Sequence, residues 1–205
     1  MPPMPIPVPT AEFRSHEILA SIRQAFADKG FDGASMQDLA RAAGMSVGNF
    51  YRYFPSKSAI VEAMVGMDLA EIERDFSEIG ASSDPMAGLR AKILQRITEE
   101  CREDGQLWAE ITAAATRKPE IATASKKMEA AIVANLTTVF AKVTGRSVAD
   151  ATVRYVGHCE LLVLLVKATA MRASQCGPAG SDLSRLVVRM IDQCLTDVSN
   201  DTARS

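Results

Sequence analysis

From Gly30 to Pro55 glycine and proline punctuate the chain so closely that only short helices fit between them. Phe13, Ile18, Leu19, Ile22 and Phe26 fall at helical spacing and draw one apolar stripe from Ala11 to Lys29, after which Gly30 stands as a C-terminal cap. Residues 31–34 read as a loop. Ser35 then stands where an N-cap hydroxyl belongs, ahead of Met36, Leu39, Ala40 and Ala43, and Gly44 ends this second helix. Ser46 caps a third helix through Val47, Phe50 and Phe54 until Pro55 breaks it. Two short helices joined by a glycine turn have the proportions of a helix-turn-helix, whose second helix can enter the major groove of DNA.

The rest of the chain reads as helix too. A long helix is predicted from Lys57 to about Ile79, with Gly80 as its stop, and Asp84-Pro85 opens another to about Asp104. Gly105 divides that one from a helix carrying Leu107, Trp108 and Ile111, which ends before Pro119. Ile121 to Thr144 is closed by Gly145, and the last two helices cover about Val148 to Ala173 and Ser181 to Val198, across a Gly/Pro/Ser loop at 174–181. Scarce aromatics (5%) and ten methionines agree with helix over strand. The expected fold is all-α, about nine helices: a proline-rich, disordered arm at 1–10, a DNA-binding unit at 11–56, a helical bundle at 57–198 and a tail at 199–205.

Charge narrows the function. The formal net charge of -2 excludes a chain that binds polyanions over its whole surface. Yet from Leu39 to Val61 there are three bases, Arg41, Arg52 and Lys57, and no acid. The outward positions of the third helix and its flanks, Ser46, Val47, Gly48, Asn49, Tyr51, Arg52, Tyr53 and Lys57, offer hydroxyls, an amide and cations. Phe50 and Phe54, four apart, fill the inner face and leave both tyrosines on other sides; Arg41 reads as a solvated charge.

Gly30-Phe31, Ala34-Ser35-Met36, Leu39-Ala40, Ala43-Gly44-Met45-Ser46, Gly48, Phe50-Tyr51, Tyr53-Phe54 and Ser56-Lys57 together closely resemble the TetR family of bacterial transcriptional regulators, over about Phe13 to Val65. The resemblance implies that Ser35, Tyr51 and Lys57 bind phosphates, that Gly48 lets the reading helix approach the DNA, and that Val47, Asn49 and Tyr53 are the candidates for base or sugar contact. Asn49 is the first choice among them, since its amide can pair bidentately with adenine. Arg52 either binds phosphate or is solvated. The chain departs from the family in its proline-rich arm, where many members carry basic residues, and in apolar Val47 at a position that often reads a base.

The second half offers no catalytic constellation. There is no GxSxG, glycine-rich phosphate loop or HExxH. His158, Cys159 and Glu160 are adjacent and so point about 100 degrees apart on a helix, unable to converge on one ion. The four cysteines show no CxxC pairing, which indicates neither a disulfide framework nor structural zinc. No enzyme activity, cofactor or metal is expected. Cys101, Trp108, Glu110, Met128 and His158 read as the lining of a ligand cavity, with Trp108 equally at home in a core. Leu161, Leu162, Leu164, Leu165 and Val166 are apolar around nearly the whole eighth helix, and Leu183, Leu186, Val187, Met190, Ile191, Cys194 and Val198 make a broad stripe on the ninth. Two such helices from each of two subunits predict a four-helix, two-fold homodimer interface.

The reading is therefore a cytoplasmic, homodimeric repressor that binds a near-palindromic double-stranded operator and releases it when a small-molecule effector binds. The alternative is a small-molecule carrier or sensor without specific DNA binding. No signal peptide is expected at the N-terminus, and no apolar run approaches the roughly 20 residues of a membrane helix.

Overall fold

The computed structural model describes residues 11–97, 101–173 and 182–201, with the side chains of 11–16, 101–104, 106 and 173 outside the description. The predicted arm and the 174–181 loop lie outside the described residues. Among those described, the chain forms nine helices and no strand: α1 Ala11–Lys29, α2 Met36–Ala42, α3 Val47–Tyr53, α4 Lys57–Ala81, α5 Pro85–Gln95, α6 Cys101–Ala115, α7 Pro119–Thr144, α8 Val148–Ala173 and α9 Asp182–Asn200. None is long and apolar enough to cross a membrane.

The caps explain these boundaries. Gly30, Gly44 and Gly145 have φ of 73°, 64° and 68°, the left-handed conformation that a side chain resists. After α2 the Met45 N–H reaches the Ala40 carbonyl (2.9 Å) and the Gly44 N–H the Arg41 carbonyl (3.0 Å), the paired bonds of a Schellman stop. Ser35, Ser46, Ser56 and Asp84 each cap the helix that follows by accepting a backbone N–H. Two predicted glycine breaks are corrected: Gly80 lies inside α4, whose C-cap is Ser82, and Gly105 lies inside α6. Neither position needs a left-handed backbone, and an isolated glycine within a packed helix costs only about 1 kcal/mol. The helix opened by Pro85 is α-helical to Gln95 and continues as a π-helical turn through 96–97.

Two cores form along the molecule. The first gathers Phe26, Phe31, Leu39 and Phe50 from the N-terminal helices around Ile60 and Met64 of α4, Leu107 and Ile111 of α6, and Ile121 of α7. The second joins Leu89 of α5, Phe140 of α7, Tyr155 and Leu162 of α8, and Ile191 and Leu195 of α9. The packing therefore does not divide at residue 56, because the first core is completed by side chains from beyond it. α4 runs through both cores, and α7 packs against both α4 and α8.

The end of α9 is tied down by charge. Asp201 accepts from the Arg154 guanidinium (Nη2 at 2.9 Å) and from the Tyr155 hydroxyl at 2.5 Å, with Arg146 at 3.5 Å. Ser199 and Asn200, expected at the start of the tail, belong to α9. The bonds from Arg154 and Tyr155 hold the Asp201 carboxyl down at about 2, against 3.8 for an ordinary aspartate. A folded-state value below the unfolded one adds stability above the unfolded pKa and loses it as pH falls through the folded one. Asp201→Asn is therefore expected to lower the melting temperature at pH 7, and the gap between variant and parent should close between about pH 4 and pH 2; calorimetry across that range checks it.

Candidate nucleic-acid interface

α3 is built as a two-sided element. Its inner side is Phe50, fully buried, and Phe54, just beyond its end, with ring centroids 5.4 Å apart against Leu39 and Ala40 of α2. Burying a phenylalanine contributes about 1.5–3 kcal/mol, which fixes the rotation of a helix only seven residues long. Everything else on it faces solvent. Val47, Gly48, Asn49, Tyr51, Arg52 and Tyr53 are all exposed, Tyr53 to 61%. Ser46 is spent on the cap, its hydroxyl accepting the Asn49 N–H at 3.4 Å. The outer face carries an amide, two phenols and a guanidinium, with no carboxylate.

Two residues assigned to phosphate have other work in this structure. The Ser35 hydroxyl accepts the Asp38 N–H (3.1 Å) and donates to the Asp38 carboxylate (2.6 Å), which also takes the Ser35 N–H (3.0 Å). This closes a capping box and places a carboxylate at the α2 N-terminus, where a phosphate would otherwise be drawn. Lys29, 2.6 Å from Asp38, neutralises it, and these bonds hold the Asp38 carboxyl far below the usual range.

Lys57 is the second. Its ammonium donates to the carbonyls of Phe31 (2.7 Å), Asp32 (3.0 Å) and Ala34 (3.0 Å), so all three of its protons are taken. It also lies 5.1 Å from the centre of the Phe31 ring, a cation–π contact. Burial pushes its pKa below the usual lysine value, against the pull of Asp32. Lys57 clamps the α1–α2 turn onto the start of α4.

The same turn is held from the other side by residues far along the chain. Glu110 of α6, expected in the ligand cavity, instead accepts the Phe31 N–H at 3.0 Å. Its carboxylate lies so close to Gly30 that an added Cβ would meet it at 3.1 Å. Arg117 binds Asp32 at 2.9 Å, and Lys118 stands 3.7 Å from it; the Arg117 bond lowers the Asp32 pKa. Asp32, Arg117 and Lys118 carried no local sequence signal, because their pairing spans some eighty residues.

A cavity of about 340 Å³ opens among α4, α5, α6, α7 and α8. Of the five residues expected to line it, Trp108 and Met128 do. Glu110 faces the Phe31 turn. His158 sits edge-on to Tyr155, with centroids 5.9 Å apart, and is not among the lining residues. The Cys101 side chain lies outside the description. The apolar wall comes instead from Ile72, Leu89, Ile93, Ile132, Leu136 and Leu162, with Thr112 beside Trp108 on α6. Cys159 and Cys194 are free and buried; burial pushes both thiols up, Cys194 to about 11, which leaves them protonated and poor nucleophiles.

Residues 18–64, which contain α2, α3 and the start of α4, match the family described as bacterial regulatory proteins, tetR family. The transcriptional regulator UidR of Escherichia coli K12 is 28% identical over 110 residues, 51% of this chain and 53% of its own. EthR of Mycolicibacterium smegmatis is 32% identical over 87 residues, 42% of this chain and 40% of its own. The chain thus spans about half the length of the curated relatives it matches. The fold extends further: Salmonella enterica GusR superposes with a TM-score of 0.70 over 95% of this chain and 98% of its own, at 23% identity. A TetR transcriptional regulator from Legionella pneumophila does so at 0.67 over 92% and 98%, with 17% identity. With the glycine-stopped α2, the two-sided α3 and a helical bundle behind them, residues 18–64 carry the tetR-family match and the described chain shares the fold of these solved regulators.

Proposed function

We propose that the protein is a ligand-responsive, DNA-binding transcriptional regulator that acts as a homodimer, holds a near-palindromic operator as a repressor, and releases it when a small molecule fills the cavity. The observation that carries this reading is the exposed, carboxylate-free outer face of α3, held in place by Phe50 and Phe54 behind it. In it Asn49 reads a base edge, Val47 and Tyr53 touch base or sugar, Tyr51 and Arg52 take phosphates, and Gly48 permits close approach. Ser46 supports this face as the cap.

The dimer is proposed through α8 and α9, which is supported by exposed apolar side chains on both: Val153, Val156 and Leu164 of α8, Leu183, Leu186 and Met190 of α9. Leu164 is 61% exposed, whereas Leu165 packs against the second core. Two reading helices so joined would enter successive major grooves about 34–36 Å apart. α4 gives the route for the signal: its N-terminus holds the α1–α2 turn through Lys57, and its second half lines the cavity with Ile72 and Ile79. By linkage, operator DNA must weaken ligand binding by the same factor that ligand weakens DNA binding.

Selection of a binding site from random duplexes, followed by titration at several salt concentrations, tests the reading; failure to enrich any sequence overturns it. On the selected site Asn49→Ala should cost about 1–3 kcal/mol, and much less on random DNA. Arg52→Ala should lower the slope of log affinity against log salt by roughly one unit. Lys57→Ala should leave that slope unchanged and instead lower the melting temperature by about 2–6 °C, since its loss strands three carbonyls. Leu164→Arg should yield helical monomers in sedimentation that have lost specific affinity; a dimer that survives it puts the interface elsewhere.

A further inference from the structure

The cavity is small for a ligand site at about 340 Å³, and its charges are already matched. Its floor is apolar, with Ile72, Leu89, Ile93, Leu136 and Leu162 all buried. Carboxylates and cations stand around this floor, and they bind one another. Lys92 lies 3.0 Å from Asp75, Lys167 pairs with Glu129, and Arg23 reaches across from α1 to pair with Asp68. Arg96 is engaged as well, and Glu71 faces solvent. Among the described residues, an ionic ligand could gain a desolvated partner only by separating a half-buried pair, which leaves the displaced charge poorly solvated, while an ion pair with solvent-facing Glu71 contributes little. Thr112 supplies the wall's one hydroxyl among the described residues, one helical turn from Trp108.

We infer that the cavity takes an uncharged, largely apolar molecule with a single hydrogen-bonding group placed against Thr112. The inference rests on the reading of this cavity as the effector site and names the chemistry of its occupant. Among the described residues a charged head would meet ions already paired or the solvent-facing Glu71, while an alkyl or alicyclic body matches the floor and a hydroxyl or carbonyl matches Thr112.

Trp108 is the chain's single tryptophan and lines the cavity, so its fluorescence reports occupancy directly. The full chain is titrated with decanol, decanoate and decyltrimethylammonium, three probes with one tail and different heads. A saturable change with decanol is expected, with both ions binding at least tenfold more weakly. Thr112→Val, which keeps the shape and removes the hydroxyl, should weaken decanol about fivefold. Ala170→Phe should fill the cavity and abolish the response while circular dichroism and melting stay those of the parent; if that variant does not fold, Val163→Phe takes its place. Tighter binding of either ion, no response to any probe, or a decanol response that survives the filled cavity overturns the inference. The readout needs no DNA, so a protein that binds decanol as expected but selects no operator overturns the regulator reading alone. Intact operator binding with no decanol response overturns this one alone.

Discussion

The turn between α1 and α2 is the joint on which the molecule depends. It has no secondary structure of its own, and its backbone is satisfied almost entirely from outside. Lys57 takes the carbonyls of Phe31, Asp32 and Ala34, and Glu110 takes the Phe31 N–H. The Phe31 ring is buried, stacked on Phe26 at 5.3 Å. Bonds between charged groups and backbone are stronger than neutral ones, so the turn is held rigidly between α4 and α6. α2 and α3 hang from it, and the direction in which α3 presents Asn49 is set there.

α6 has two faces with different duties. Trp108 and Thr112 look into the cavity, and Glu110, between them in sequence, looks away to the turn. One helix therefore touches both the cavity and the backbone that orients α3. A sub-ångström roll of α6 would be felt at both ends, since close-packed interiors transmit displacement rather than absorb it.

What could be read from the sequence was what is local. Glycines and serines at helix ends carry their meaning within four residues, so the caps at Ser35, Gly44, Ser46 and Gly145 and the two-sided character of α3 were legible. Gly80 and Gly105 misled because a glycine signals a stop only where the backbone must turn left-handed, and here the packing of α4 and α6 carries the helix through. Distant charge partners were not legible: Glu110 and Phe31 lie 79 residues apart, and nothing in either neighbourhood names the other. The cavity failed for the same reason. Five helices contribute to it, and only Trp108 and Met128 stood out by size, while His158 shares a helix face with Tyr155, three residues before it, that does not line the cavity. Leu164 and Leu165 look alike as letters, and only the rotation of α8 separates the exposed one from the packed one.

The first hydrophobic core crosses the line between the three N-terminal helices and the bundle. Phe26, Leu39 and Phe50 are sealed by Ile60 and Met64 of α4 and by Leu107 and Ile111 of α6. A recombination joint placed just before α4 would cut through that core. Heads and bundles from related chains are then not freely interchangeable parts. A successful chimera has to carry the first half of α4 and the inward face of α6 along with the head, so the inheritable module is discontinuous in sequence. Changes in the N-terminal helices and in the bundle are coupled through shared side chains, and drift in one half constrains drift in the other.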